Sequence, residues 1–219
     1  MSLTIKYEEL EAIIFDLGGV IIEVDMGYPY RYFAEHSSGD KDILIQDLRA
    51  IALSYEIGKI GDQEFIEKVR ESTKIDKTDE EIKIIWNGML GQVPSELGEL
   101  LYKIKQEKKT FILSNTNPIH IAEVEKRFQE SITQYSLNNL FDEIYYSHNI
   151  GLHKPDQNIY NYVIEKNNLN PHRTLFIDDN IHNVNSAKAL GIQTIHMNPP
   201  MNLPAIMETM DNGQLFYIS

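Results

Sequence analysis

The stretch that most constrains the fold is a short apolar run that ends in an aspartate and two glycines. Residues 12–15 run directly into Asp16, and Gly18 and Gly19 follow after one leucine. The run predicts a buried strand, and the glycines predict a tight turn of the backbone. An isolated aspartate here could serve only as a turn former. In an open α/β sheet, however, ligands bind at the carboxyl ends of strands, so Asp16 is a candidate ligand-facing residue.

Three further polar pieces follow in order along the chain. Ser114 and Asn115 come at the end of a second apolar run, and Lys154 precedes a helical pattern. Asp178 and Asp179 close another apolar run. Polar groups that repeatedly end apolar strands indicate one site built at the same edge of a sheet.

Apolar runs alternate with amphipathic segments over most of the chain, which predicts an α/β fold. A parallel sheet with helices on both faces is the architecture that such alternation favours. Strands are predicted at residues 12–16, 109–114, 143–148, 174–178 and 192–196. Helices are predicted at 96–106, 119–128, 155–166 and 181–190, with Pro155 in a first turn and Gly191 after a helix end. Residues from 198 onward contain three prolines and are not assigned.

Between residues 28 and 93 the pattern is helical only. Apolar stripes predict helices at 42–53 and 62–69, and Thr78 is a candidate N-cap of a third helix. Gly58 and Gly61 indicate either a turn between two helices, with Asp62 as the next N-cap, or a loop that approaches a substrate. This segment is therefore predicted to be an all-helical insertion.

The four polar pieces resemble the motifs of the haloacid dehalogenase (HAD) superfamily. The closest resemblance is to the bacterial α-D-glucose-1-phosphate phosphatases, and it covers nearly the whole chain. The motifs that carry it are Asp16-Leu17-Gly18-Gly19-Val20, Leu113-Ser114-Asn115-Thr116-Asn117, Gly151-Leu152-His153-Lys154-Pro155 and Phe176-Ile177-Asp178-Asp179-Asn180. The resemblance implies a Rossmann-like HAD core from residues 1–24 and 95–219 and an inserted α-helical cap from residues 25–94.

The resemblance also implies a phosphatase that forms an aspartyl phosphate. Asp16 would be the nucleophile, and Lys154 would neutralise charge on Asp16 and on the phosphoryl group. Ser114, Asn115 and Lys154 would bind the phosphate. Asn183 is assigned a supporting role.

A Mg²⁺ ion is the implied cofactor, since its preferred ligands are oxygen atoms. By resemblance its ligands are a carboxylate oxygen of Asp16, the backbone carbonyl of Gly18 and a carboxylate oxygen of Asp179. Adjacent side chains of a strand point to opposite faces, so Asp178 is expected to act indirectly or through water. Four histidines near strand ends show no metal-binding spacing and are expected to be packing or surface residues: His120, His148, His153 and His182.

Gly18 departs from the common HAD pattern, in which a second aspartate serves as acid and base. Loss of such a group costs roughly 10²- to 10⁴-fold in rate. Three explanations stay open. The substrate could have an easy leaving group, such as the anomeric oxygen of a sugar 1-phosphate. The cap could supply another acid, with Glu56 as a candidate, or the protein could bind phosphates without turnover.

Composition limits the partners. The chain has 33 acidic and 20 basic residues, a formal net charge of −13, and no cysteine. Such a surface repels nucleic acids and anionic membranes, and the lack of cysteine excludes disulfides and thiolate metal sites. We expect a cytoplasmic protein whose partner is a small phosphorylated molecule. The sequence does not indicate an oligomeric state.

The sequence therefore predicts a Mg²⁺-dependent phosphatase of small phosphorylated metabolites, with sugar phosphates favoured and hexose 1-phosphate as one candidate substrate. Two alternatives stay open. One is a 2-haloacid dehalogenase, which uses an aspartate nucleophile without the second aspartate and without a metal. The other is a non-catalytic protein that binds sugar phosphates.

Overall fold

The core of the protein is a five-stranded parallel sheet. The computed structural model describes residues 4–198, 202–211 and 216–217. The strands are β1 (Thr4–Ile5), β2 (Ala12–Phe15), β3 (Lys109–Ser114), β4 (Glu143–Tyr146), β5 (Thr174–Asp178), β6 (Gln193–His196) and β7 (Phe216–Tyr217). The parallel sheet has the order β4-β3-β2-β5-β6, whereas β1 and β7 form a separate antiparallel pair. Strand β2, which leads directly into Asp16, therefore lies at the centre.

Strand β2 shows why the sheet is covered on both faces. All four of its side chains are buried, and they alternate between two apolar clusters. Ile13 and Phe15 belong to one cluster, whereas Ala12 and Ile14 belong to the other. Successive side chains of a strand point to opposite faces of the sheet, so a strand with apolar residues at every position is covered by helices on both faces. The predicted α/β fold is confirmed.

Seven helices in the described residues belong to this part of the chain. They are α5 (Leu97–Glu107), α6 (Pro118–Ser131), α7 (Leu137–Leu140), α8 (Ser147–Ile150), α9 (Gln157–Lys166), α10 (Ile181–Ala189) and α11 (Leu203–Asp211). Helices α5, α6 and α11 pack into the cluster that contains Phe15, and α9 and α10 pack into the cluster that contains Ile14. No helix in the described ranges is long and apolar enough to cross a membrane.

The helical insertion contains α1 (Tyr28–His36), α2 (Lys41–Glu56), α3 (Asp62–Thr73) and α4 (Asp79–Asn87). These helices have an apolar cluster of their own, which receives Ile119 from α6. The chain enters and leaves the insertion through two paired segments, because Val24 and Leu90 form an antiparallel bridge. The predicted domain boundaries at 25 and 94 stay a prediction.

Side-chain capping starts two of the four helices of the insertion, α2 and α4. Thr78 and Glu81 form a reciprocal capping box at the start of α4, as the sequence predicted. The predicted N-cap at Asp62 is wrong, because Gly61 occupies that position and the Asp62 carboxylate instead accepts a hydrogen bond from Tyr55 Oη at 2.6 Å. Gly58 has a φ of +69° in the turn between α2 and α3.

Predicted helices 42–53, 62–69 and 119–128 extend to Glu56, Thr73 and Ser131, and three further segments differ from the sequence analysis. Strand 143–148 ends at Tyr146, because residues from Ser147 form α8, which Gly151 closes with a φ of +67°. Helix 155–166 begins at Gln157 rather than at Pro155, because the Asp156 carboxylate caps it. Residues 203–211, which the sequence left unassigned, form α11.

Candidate active site

Polar side chains from the carboxyl ends of the central strands surround one cavity of about 400 Å³. Asp16 follows β2, Ser114 ends β3 and Asp179 follows β5. Because the three strands are parallel neighbours, their carboxyl ends meet at one edge of the sheet. The cavity is lined by nearly all the predicted site residues, namely Asp16, Gly18, Ser114, Asn115, Lys154 and Asp179.

Lys154 lies at the base of this cavity with its ammonium group fully engaged. Its Nζ atom lies 2.8 Å from Asp16 Oδ1 and 2.7 Å from Asp178 Oδ2. It also donates to the backbone carbonyl of Leu113 at 2.8 Å. These three acceptors match the three donors of an ammonium group, and the side chain is only 1% exposed. Lys154 is thus a fixed charge between two carboxylates.

Burial and charge shift the acid–base properties of this group of residues. Burial raises the pKa of Asp16 to about 7, with Asp178 and Asp179 adding to the rise and Lys154 opposing it. Burial lowers the pKa of Lys154, but the Asp16 and Asp178 carboxylates outweigh this effect and leave it above its usual value. Lys154 is therefore protonated at neutral pH, whereas Asp16 needs further positive charge nearby to stay fully ionised.

The Asn115 side chain holds the backbone of Lys154. Its Oδ1 atom accepts a hydrogen bond from the Lys154 backbone N–H at 2.9 Å, and its Nδ2 atom donates to the Lys154 carbonyl at 2.8 Å. The Asn115 amide thus links the end of β3 to the loop that carries Lys154. A direct phosphate contact by Asn115 stays a prediction.

Three carboxylates form an acidic cluster beside the lysine. One oxygen from each of Asp16, Asp178 and Asp179 lies within 4.8 Å of the others. Gly19, with a φ of +73°, lets Asp179 approach, since a Cβ atom at Gly19 would collide with the Asp179 carboxylate. Burial, followed by the charge of Asp178, raises the pKa of Asp179. Hard oxygen atoms carrying excess negative charge are a donor set that fits Mg²⁺.

Asp178 lies behind the cavity wall and is fully buried. Its carboxylate accepts hydrogen bonds from the Asn180 backbone at 2.8 Å and from Asn183 Nδ2 at 3.0 and 3.1 Å. Because Lys154 also contacts it, both oxygens have partners. This arrangement suits an orienting role rather than direct coordination, and it gives Asn183 a definite partner in the site.

Sequence reasoning gave no site role to five residues that line the cavity: Val24, Met26, Asn180, Ile181 and His196. His196 ends β6 beside Asp178, and its Nε2 atom donates to the Asp179 carbonyl at 2.9 Å. His196 could have been identified from the sequence, because it is a polar residue at the end of the fifth predicted strand. No sequence signal distinguished the apolar residues from core residues.

Two of the other candidate residues, His120 and His153, lie at the contact between the insertion and the α/β core, whereas His182 is exposed on α10. His120 is buried and stacks on Trp86, with ring centroids 5.3 Å apart. His153 Nε2 lies 3.0 Å from Glu56 Oε2. Glu56, which the sequence offered as a substitute acid, is therefore engaged with a histidine.

Comparison with known proteins agrees with this arrangement. The family model of haloacid dehalogenase-like hydrolases matches residues 10–191. The chain is 28% identical over 188 residues to a D-ribitol-5-phosphate phosphatase of Bacteroides thetaiotaomicron, covering 84% of this chain and 90% of that protein. It is 25% identical over 197 residues to a phosphorylated carbohydrates phosphatase of Thermotoga maritima, covering 85% and 84%.

Among solved structures, a HAD family enzyme from Bacteroides thetaiotaomicron, in complex with magnesium and inorganic phosphate, matches with a TM-score of 0.74. The two are 30% identical over 85% of this chain and 93% of that one. The matched segment of the family model contains all four motifs, from Asp16 to Asp179. The chain belongs to the haloacid dehalogenase-like hydrolases.

Proposed function

We propose that the protein is a Mg²⁺-dependent phosphatase of small phosphorylated metabolites, sugar phosphates in particular. The observation that carries the proposal is the contact of Lys154 with both Asp16 and Asp178, beside Asp179, at the base of one cavity. A buried nucleophile, a fixed cation and an acidic cluster are the parts that phosphoryl transfer requires. The names of the two phosphatase relatives support the substrate class.

In this mechanism Asp16 attacks the phosphorus atom of the substrate. A bond forms between the Asp16 carboxylate and phosphorus, and the bond from phosphorus to the leaving oxygen breaks. Water then hydrolyses the aspartyl phosphate, which releases inorganic phosphate and restores Asp16. Lys154 neutralises part of the negative charge on the phosphoryl oxygens, and Ser114 binds them from the end of β3.

The residues present fit a bound Mg²⁺ ion. Asp16, Asp179 and the backbone carbonyl of Gly18 would hold it, with Asp178 acting indirectly. When bound, the ion supplies positive charge that keeps Asp16 ionised and screens the phosphate. The related enzyme crystallised with magnesium and inorganic phosphate supports this assignment.

Gly18 favours substrates whose leaving oxygen departs without an acid. The anomeric oxygen of a hexose 1-phosphate gives a more stable anion than an ordinary alcohol does, so we favour such substrates over alkyl phosphates. We also propose that residues 25–94 act as a cap that covers the cavity and excludes water.

The acidic cluster separates this proposal from a haloacid dehalogenase. A metal-independent enzyme would have little use for Asp179 within 4.8 Å of Asp16 and Asp178, since three carboxylates so close together repel one another unless a cation neutralises them. Metal-independent release of chloride from a 2-haloacid would nevertheless establish the dehalogenase.

The test is phosphate release from a panel containing glucose 1-phosphate, glucose 6-phosphate and ribitol 5-phosphate. Each substrate is measured with Mg²⁺ and with EDTA, for the native protein and for Asp16→Asn, with circular dichroism as the control for folding. We expect metal-dependent release that the substitution abolishes. Absence of release on every substrate, with the fold intact and with Mg²⁺-dependent binding, would instead support a sugar-phosphate-binding protein.

A further inference from the structure

One polar contact joins the helical insertion to the loop that carries Lys154. Glu56 is the last residue of α2, and His153 immediately precedes Lys154. His153 Nε2 lies 3.0 Å from Glu56 Oε2, and their side chains are 28% and 20% exposed. The contact spans 97 residues of sequence. It therefore connects the helical insertion to a distant loop of the α/β core.

The hydrogen-bond pattern fixes the proton on His153. The Asn115 Oδ1 atom accepts from the Lys154 backbone N–H, which identifies the other end of the amide as the NH₂ group. This NH₂ group lies 3.2 Å from His153 Nδ1. Since NH₂ only donates, Nδ1 is the acceptor and carries no proton. The Nε2 atom therefore carries the ring N–H and donates a hydrogen bond to the Glu56 carboxylate.

A directed chain of hydrogen bonds thus runs from the insertion to the candidate nucleophile. Asn115 donates to His153, and His153 donates to Glu56. Asn115 also grips the backbone of Lys154, whose ammonium group contacts Asp16. Displacement of Glu56 removes the acceptor that orients the imidazole, and the imidazole in turn orients the amide that holds Lys154.

We propose that Glu56 and His153 are positioning residues that couple closure of the insertion over the cavity to the placement of Lys154. This inference rests on the proposed function, since it assigns the role of Lys154 in catalysis. In the closed state the pair holds Lys154 against Asp16. When the insertion opens, the loop around Lys154 relaxes, which favours release of phosphate.

A neighbouring contact between the insertion and the core provides a matched control. Tyr55 Oη accepts a hydrogen bond from the Ile119 backbone at 3.3 Å and donates to Asp62. This contact crosses the same interface but leads to α6 rather than to Lys154. Tyr55→Phe therefore removes one hydrogen bond between the insertion and α6 while leaving the Glu56–His153 pair intact.

Because coupling free energies are reciprocal, a substitution in the insertion should change the core, and a substitution in the core should change the insertion. The test measures both effects. Glu56→Ala, in the insertion, is read at the Lys154 backbone amide by hydrogen exchange in ¹⁵N NMR spectra. His153→Ala, in the core, is read at Trp86, the only tryptophan of the chain, by acrylamide quenching of its fluorescence. Trp86 is 2% exposed and stacks on His120 across the interface, so opening exposes it.

We expect Glu56→Ala to speed exchange of the Lys154 amide about tenfold, and His153→Ala to raise the quenching constant of Trp86 about twofold. Glu56→Gln should restore slow exchange, because its carbonyl oxygen still accepts from Nε2. Both alanine variants should lower kcat about tenfold with little change in KM, whereas Tyr55→Phe should leave kcat and Lys154 exchange unchanged.

Unchanged exchange of Lys154 in Glu56→Ala, or unchanged quenching in His153→Ala, would overturn the coupling. So would a Tyr55→Phe variant that reproduced both effects, since the pair would then be one interface contact among several. Neither the exchange nor the quenching measurement needs turnover. A protein that released no phosphate would thus refute the proposed function while these two readouts still decided the coupling.

Discussion

The Cγ1 atom of Val24 lies 3.2 Å from the place that a Cβ atom would take at Gly18. Val24 is fixed there, because it bridges Leu90 at the base of the helical insertion. The space beside residue 18, where most HAD phosphatases carry their second aspartate, is thus partly filled by an apolar side chain. The packing of Val24 against Gly18 therefore leaves little room for a larger side chain at position 18.

The packing at Val24 makes a single Gly18→Asp substitution strained. We expect Gly18→Asp combined with Val24→Ala to raise kcat for slow-leaving alkyl phosphates about 10²-fold, because the new carboxyl group protonates the leaving oxygen. Gly18→Asp alone should gain less, and hexose 1-phosphates should gain less than alkyl phosphates in both variants. Rates of phosphate release, with Val24→Ala alone as the control, provide the measurement. Equal gains on both substrate classes would exclude the leaving-group explanation.

Removal of the Lys154 charge should destabilise the whole protein. Lys154→Met leaves Asp16 and Asp178 buried without their shared cation, so the free energy of unfolding should fall by about 3–5 kcal/mol in urea titrations. Adding Asp16→Asn should recover part of this loss, because it removes one of the stranded charges. Lys166→Met, which breaks an exposed pair with Glu143 and contacts with the Tyr145 and Tyr162 rings, should lower stability by only about 1 kcal/mol. A Lys154→Met variant as stable as Lys166→Met would contradict the assignment of Lys154 as a buried structural charge.

Mg²⁺ should stabilise the folded protein through the acidic cluster. Cation binding relieves the repulsion among Asp16, Asp178 and Asp179, so we expect 10 mM Mg²⁺ to raise the Tm by about 5 °C relative to EDTA at pH 7. Asp179→Asn should lose most of this shift, whereas Glu71→Gln, which removes an exposed charge from α3, should keep it. Equal shifts in both variants would place the effect outside the cluster.

The sequence predicted the location of the site because its residues end parallel strands. Asp16, Ser114 and Asp179 are far apart in the chain, yet the order of the sheet brings their strand ends together. The contacts that refine the site were not predictable in the same way. Val24 beside Gly18, and Glu56 beside His153, depend on how the insertion folds back on the core.

Side-chain hydrogen bonds to the backbone decided where the predicted boundaries failed. Asp156 competes successfully with Pro155 for the start of α9, because its carboxylate satisfies a free backbone N–H. Strand β4 ends before Ser147 because the buried Ser147 hydroxyl bonds to the backbone of Thr116, just after β3. The hydroxyl accepts a hydrogen bond from the Thr116 N–H and donates one to the Thr116 carbonyl. Such side-chain contacts with distant backbone leave no periodic signal in the sequence.

The stack of Trp86 on His120 makes the contact between insertion and core sensitive to acid. Burial lowers the pKa of His120 to about 3, compared with an ordinary value of 6.5. The ring is therefore neutral in the folded protein, and its Nδ1 atom lies 2.9 Å from Asn87 Oδ1. Between pH 3 and pH 6.5, His120 is therefore protonated in the unfolded chain but not in the folded protein.

The stability that this neutral histidine provides is present above pH 6.5 and is lost as the pH falls from 6.5 toward 3. At pH 5.5 the loss should be about 1.4 kcal/mol relative to pH 8, because the unfolded chain is then about tenfold more often protonated at this site than not. His120→Gln keeps a hydrogen-bonding group near Asn87 but cannot titrate. In urea titrations at both pH values, we therefore expect the native protein to lose about 1.4 kcal/mol more than His120→Gln does. Equal losses would mean that other groups, and not His120, govern the acid sensitivity of the fold.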